Sequence, residues 1–150
     1  MTARLFGKLP AHGDFVARGC TPAEQASLDA WLTASLANAQ DCFAGAFADR
    51  FDAALPWRGC GTGAIGVIAA SQDAAGRRYP LLLVCAATVD IEDLIYAAIA
   101  ERWDADRLAT VAGAGPSSSI ERWESANRAM SLEGDMPVDI VTAMLETVDV

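Results

Sequence analysis

The 150-residue chain holds one histidine, His12, one lysine, Lys8, and two tyrosines. With one histidine, any Ser-His or Cys-His nucleophilic arrangement rests on His12 alone, because the base must lie within hydrogen-bond reach of the nucleophile. The four cysteines, Cys20, Cys42, Cys60 and Cys85, are widely spaced and include no Cys-x-x-Cys pair. They supply no clustered zinc ligands, and buried free thiols are expected. Long apolar runs are missing too: the strongest, residues 81–89, ends at Asp90 and is less than half of the about 20 residues a membrane helix needs. The first ten residues show neither the apolar stretch nor the small-residue cleavage site of a signal peptide, so a cytoplasmic location is expected. Positive charge is scarce, with 11 Lys plus Arg against 20 Asp plus Glu and a formal net charge of −9. Such a chain repels phosphate backbones and anionic headgroups, which argues against nucleic acid and membrane insertion and for a protein partner with a basic or Arg-bearing face.

What is present suits one globular domain spanning 1–150: 53% apolar residues, 31 of them alanine, give a core built from small side chains and closely packed elements. Residues 3–9 read as a first strand running into a loop over 10–19. Thr21-Pro22-Ala23-Glu24 is a capping box with proline at the first helical position. Leu28, Leu32 and Leu36, then Phe43, Phe47 and Phe51 after a polar break at 38–41, predict two amphipathic helices sharing one core-facing side. Pro56-Trp57-Arg58-Gly59 ends the helical region. Residues 64–70 and 79–88 predict a hairpin around a turn-rich connection over 71–78. Residues 89–108 have helical period with Asp90 as cap, 113–119 form a Gly/Ser/Pro segment, and 137–148 close the chain as a short helix. Residues 118–124 read as a further strand, although 121–130 could equally continue as helix. The fold class expected is α+β, a mainly antiparallel central sheet flanked by helices.

Three constellations could carry chemistry. Gly61-Thr62-Gly63-Ala64-Ile65-Gly66 fits GxGxxG, but it follows Pro-Trp-Arg-Gly and leads into β-prone residues, so it reads as a loop entering a strand and not as a dinucleotide site. His12 with Asp14 could serve as base for a nucleophile at Cys20 or Ser71, the arrangement of a small hydrolase; otherwise His12 reads as an exposed loop residue. The stronger pattern is a pair of glycine-bordered polar segments, His12-Gly13-Asp14-Phe15-Val16-Ala17-Arg18-Gly19 and Ser71-Gln72-Asp73-Ala74-Ala75-Gly76-Arg77-Arg78-Tyr79-Pro80-Leu81. If they meet at one end of the sheet, Asp14 could pair with Arg77 and Asp73 with Arg18, either pinning the loops together or offering arginines to a partner.

The same residues carry a resemblance. Leu5-Phe6-Gly7-Lys8-Leu9-Pro10-Ala11-His12-Gly13-Asp14-Phe15-Val16 with Arg18-Gly19, then Asp29-Ala30-Trp31-Leu32, then Ser71-x-Asp73-x-x-Gly76-Arg77-x-Tyr79-Pro80-Leu81, resembles the TagF family of type VI secretion-associated proteins. The match is close over 4–36 and 55–86, and His12 stands where the family often has arginine. The resemblance implies a cytoplasmic post-translational regulator, a repressor of type VI secretion assembly. It would act by contact with the system's forkhead-associated scaffold protein and not by catalysis, with no metal, cofactor or catalytic residue. Lys8, His12, Asp14, Arg18, Asp73, Arg77 and Tyr79 are the residues expected to bind the partner or organise the loops. Two other readings remain: the His12 hydrolase, and a structural subunit that self-associates through an apolar patch.

Overall fold

A computed structural model describes residues 2–86 and 90–148. Seven antiparallel strands form one sheet: β1 (Arg4–Gly7), β2 (Val16–Arg18), β3 (Trp57–Gly61), β4 (Ala64–Gln72), β5 (Arg78–Cys85), β6 (Arg122–Glu124) and β7 (Ser131–Glu133), in the order β2-β1-β5-β4-β3-β6-β7. The helices are α1 (Pro22–Phe43), α2 (Phe47–Ala53), α3 (Ile91–Ala100), α4 (Ala105–Ala112) and α5 (Ile140–Glu146). The α+β architecture with a central antiparallel sheet is as the sequence leads one to expect.

Both faces of the sheet are covered. Side chains alternate along a strand, so Phe6, Ile68, Leu82 and Val84 enter one apolar cluster with α1, α2 and α5, whereas Leu5, Val67, Ala69, Leu81 and Leu83 enter a second with α3 and α4. Burial on two sides explains why β5 is a continuous apolar run and not an alternating one. Alanines at 98, 105 and 112, all almost fully buried, let α3 and α4 approach the sheet closely. On the opposite side α5 is docked onto α1. Trp31 Nε1 donates to the Pro137 carbonyl at 2.7 Å, Ser35 Oγ accepts from Val141 N at 3.0 Å, and Trp123 Nε1 donates to the Asp135 carbonyl at 2.9 Å.

Several boundaries differ from those expected. The capping box closes in both directions, with Thr21 Oγ1 accepting from Glu24 N and Glu24 Oε1 from Thr21 N. However, α1 runs through the polar residues 38–41, because Asn38, Gln40 and Asp41 face solvent while Ala39 is buried. The chain breaks later, at Ala44 with φ of 47°, where a short 3-10 turn leads into α2. Leu28, Leu32, Leu36, Phe47 and Phe51 do share one face in the same core cluster. The predicted helix over 89–108 is two helices: Asp90 caps α3, Arg102 takes φ of 55°, and Asp104 caps α4. Val89 and Thr88 lie outside the described residues. Between the two alternatives for 118–130, the strand is present as β6, paired with β3 and β7.

Three strands were not anticipated, one of them β7, which pairs with β6 in a stretch given no element. β2 lies within the supposed loop over 10–19, and β3 begins at Trp57, where only a helix end was expected. The GxGxxG segment is the tight hairpin between β3 and β4, not a phosphate cradle. A Cβ on Gly61 would lie 2.2 Å from the Ser119 carbonyl oxygen, so a later segment packs directly on this backbone. The thiols also depart from expectation: Cys85 is buried, Cys20 and Cys60 are half-buried, and Cys42 is exposed. Among the described residues no His/Cys/Asp/Glu group could hold a metal ion, and no helix is long and apolar enough to cross a membrane.

Candidate functional site

The two polar segments do meet, at the end of the sheet where β1 leaves toward residue 8 and β4 turns into β5. Pairing of Gly7 with Leu81 and of Ser71 with Tyr79 sets the register that brings Lys8 beside the 73–77 turn. Asp73 is the hub, and none of its side chain is exposed. Its carboxylate accepts from Lys8 Nζ at 3.0 Å and Arg77 Nε at 2.7 Å, and from the backbone N–H groups of Ala75 at 2.9 Å and Arg77 at 3.0 Å. Burial alone would raise this carboxyl's pKa. The Arg77 N–H, the Lys8 ammonium, the Arg77 guanidinium and the Ala75 N–H together outweigh it and hold the group well below the usual carboxylate range.

The turn is tied to the first segment by three further bonds. Ala74 N donates to the His12 carbonyl at 2.7 Å, Arg77 Nη2 donates to the Gly13 carbonyl at 2.8 Å, and Ser71 Oγ donates to the Lys8 carbonyl at 2.8 Å. The first segment is also held from the other side by the corner between α3 and α4. Arg102 Nη2 donates to the Pro10 carbonyl at 2.8 Å, and Ala105 N donates to His12 Nε2 at 3.0 Å. Arg18 Nε donates to Asp106 Oδ1 at 2.7 Å, an ion pair that lowers the Asp106 pKa.

The pairings expected from the sequence are therefore corrected. Asp73 pairs with Lys8 and Arg77, not with Arg18, because β1 and the turn are adjacent whereas β2 faces α4. Arg77 reaches a backbone carbonyl of the first segment and not Asp14. Asp14 itself is exposed; its Oδ1 accepts from Phe15 N at 2.8 Å, and among the described residues it forms no ion pair. His12 is half-buried and not an exposed loop residue, and it acts as the acceptor for the first N–H of α4; an arginine there would offer no acceptor. Neither candidate nucleophile bonds to His12 among the described residues. Ser71 Oγ serves the Lys8 carbonyl, and Cys20 Sγ lies 3.3 Å from the Arg18 carbonyl oxygen.

Phe15 is the residue that the sequence reading passed over. Its ring packs edge-on against Tyr79 with centroids 4.8 Å apart and stacks at 6.2 Å on Phe6, while Lys8 Nζ sits 4.8 Å from its centroid. Yet 46% of it is exposed. An apolar residue between Asp14 and Val16 in an otherwise polar loop was the available signal. Tyr79 is buried beneath it. Burial and the nearby Asp29 carboxylate push its phenol up to about 12, against the opposing pull of a 3.1 Å hydrogen bond with Thr33 Oγ1.

Because the folded Asp73 carboxyl binds its proton less tightly than in the unfolded chain, its stabilisation is complete above the ordinary carboxylate pKa of about 3.9 and declines as pH falls below it. Urea midpoints measured from pH 7 down to pH about 3 should therefore drop more steeply for wild type than for Asp73→Asn. Glu24, Asp52 and Asp106, whose pKa values are also lowered, titrate in both proteins. Parallel curves would contradict the role given to this carboxylate.

The fold and the joined loops define an α+β domain with a knot of paired charges at one end of its sheet and an aromatic exposed at its rim. The chain belongs to a type VI secretion system-associated family, the TagF N-terminal domain, whose match covers residues 4–130. A solved crystal structure, that of PA0076 from Pseudomonas aeruginosa PAO1, has the same fold: TM-score 0.63, 22% identity, covering 98% of this chain and 78% of that one. Among curated proteins no significant match is found.

Proposed function

We propose that this chain is a cytoplasmic post-translational regulator of type VI secretion assembly that represses it by protein contact with the forkhead-associated scaffold, and not by catalysis. Membership of a type VI secretion-associated family supports the setting. The use of the ionisable groups supports binding over chemistry: Lys8, Asp73, Arg77, His12 and Arg18 hold one loop to another or to α4. The observation that carries the reading is Phe15, an aromatic fixed by Phe6, Tyr79 and Lys8 and still half-exposed, beside an Asp14 without an ion partner among the described residues. A preordered aromatic loses little freedom on docking, which is how a few residues come to dominate an interface. In this reading Lys8, His12, Arg18, Asp73 and Tyr79 organise the surface, and Asp14, Phe15 and the exposed part of Arg77 meet the partner. Residues 1–150 act as one unit, since α5 buries Ile140, Val141, Met144 and Leu145 in the same core as α1.

Overproducing the chain in its own cell should abolish release of a type VI substrate into the medium, and the scaffold protein should co-purify with it. The double variant Asp14→Arg with Phe15→Ala, folded by circular dichroism, should bind the scaffold at least about tenfold more weakly and restore release. Undiminished release under wild-type overproduction would remove the repressor assignment. Equal scaffold binding by both proteins would remove this surface.

A further inference from the structure

Between Phe15 and the first turns of α1 runs a groove of about 380 Å³ lined by Phe6, Phe15, Pro22, Gln25, Ala26 and Asp29. Its walls are apolar, and its polar groups are confined to Gln25 and Asp29, on the exposed side of α1. Asp29 Oδ1 accepts from Thr33 Oγ1 at 3.2 Å, and among the described residues the carboxylate makes no ion pair. The neighbouring cations are already committed. Lys8, on the Phe15 ring, is bound to Asp73, Arg4 is paired with Glu24, and Arg18 is paired with Asp106. A trough with apolar walls and one unpaired carboxylate suits a side chain that is aliphatic along its length and cationic at its end. Arginine fits this best, because its planar guanidinium can meet a carboxylate through two parallel hydrogen bonds. The net charge of −9 favours the approach of such a partner.

We infer that this groove receives an arginine from a basic segment of the protein partner, its stem lying along Phe15 and Pro22 and its guanidinium on Asp29. This deepens the proposed function and rests on it for the identity of the partner. It also gives a role to Asp29 in the Asp29-Ala30-Trp31-Leu32 motif, whose Trp31 and Leu32 are buried in the core whereas Asp29 is exposed.

The test has two arms, so that failure of the groove and failure of the partner assignment are told apart. In the first, the amide NMR spectrum of the whole chain is followed with a blocked Gly-Arg-Gly peptide and with its Gly-Gln-Gly counterpart, each at about 10 mM, since one ion pair with a packed stem gives only millimolar affinity. The Arg peptide should shift the amides of Phe15, Gln25, Ala26 and Asp29, the Gln peptide should not, and Asp29→Asn should lose the response. Absent or equal shifts with the two peptides overturn the inference. In the second arm, Asp29→Arg, shown to be folded by circular dichroism, should weaken binding of the scaffold protein at least about tenfold. Unchanged scaffold affinity overturns the groove while leaving the proposed function intact. If wild type does not bind the scaffold but still shows the Arg-specific shifts, the partner assignment fails and the cationic ligand of the groove stands.

Discussion

Replacing Gly7 with alanine should unfold the functional end of the sheet and cost the domain about 3 kcal/mol or more of stability, read as the urea midpoint. Two independent facts lead there. Gly7 holds φ of 133°, a conformation that L side chains rarely adopt. A Cβ would also stand 2.1 Å from the Pro80 carbonyl oxygen and 3.0 Å from Leu81 Cα, both backbone, so no rotamer change can relieve the clash. Gly7 is bonded in register to Leu81 on one side and Val16 on the other, and it directly precedes Lys8. Forcing β1 away from β5 therefore pulls the Lys8 ammonium off Asp73, and partner binding should disappear along with stability. A Gly7→Ala protein with a wild-type midpoint would mean that the tight β1–β5 approach is not required.

The second large effect is expected at Asp73. Asp73→Ala leaves Lys8, which is 7% exposed, without its counter-ion and releases the two N–H groups that close the 73–77 turn. A buried charge stripped of its partner is far more costly than the intact pair is beneficial. The melting temperature should fall on the order of 10 °C. Hydrogen exchange should quicken in residues 8–15 as well as in the turn, because Ala74 and Arg77 reach across to the carbonyls of His12 and Gly13. Restriction of the change to the turn would show that the two loops are held independently.

These effects turn on features that the sequence displays unequally. Local signals were legible: the capping box at Thr21 and Glu24 closes as read, the Leu and Phe stripe enters one core, and the β4–β5 hairpin pairs around its polar turn. Features decided by distant partners were not. β2 has only three residues and owes its strand to pairing with β1, and β3 carries two glycines that argue against a strand until Trp123 and Ile120 are seen packed on Gly59. At the site, the sequence revealed which residues would gather but not how they pair. Asp73 takes Lys8 because the β1–β5–β4 register sets them side by side, and Arg18 takes Asp106 because α4 lies over β2. Nothing in the linear pattern could place Arg102 and Ala105, at the corner between α3 and α4, against Pro10 and His12. Phe15 was hidden for a related reason: its exposed half is defined by what Phe6, Tyr79 and Lys8 do to the other half.

In the proposed function, the loops knit by Asp73 are the surface that meets the forkhead-associated scaffold. The most direct test of this reading is a hydrogen-exchange footprint of the whole chain with and without that scaffold protein. Protection concentrated in residues 8–19 and 73–79 and in the first turns of α1 is the predicted result. Protection confined to α3, to the β6–β7 edge or to α5 would contradict it.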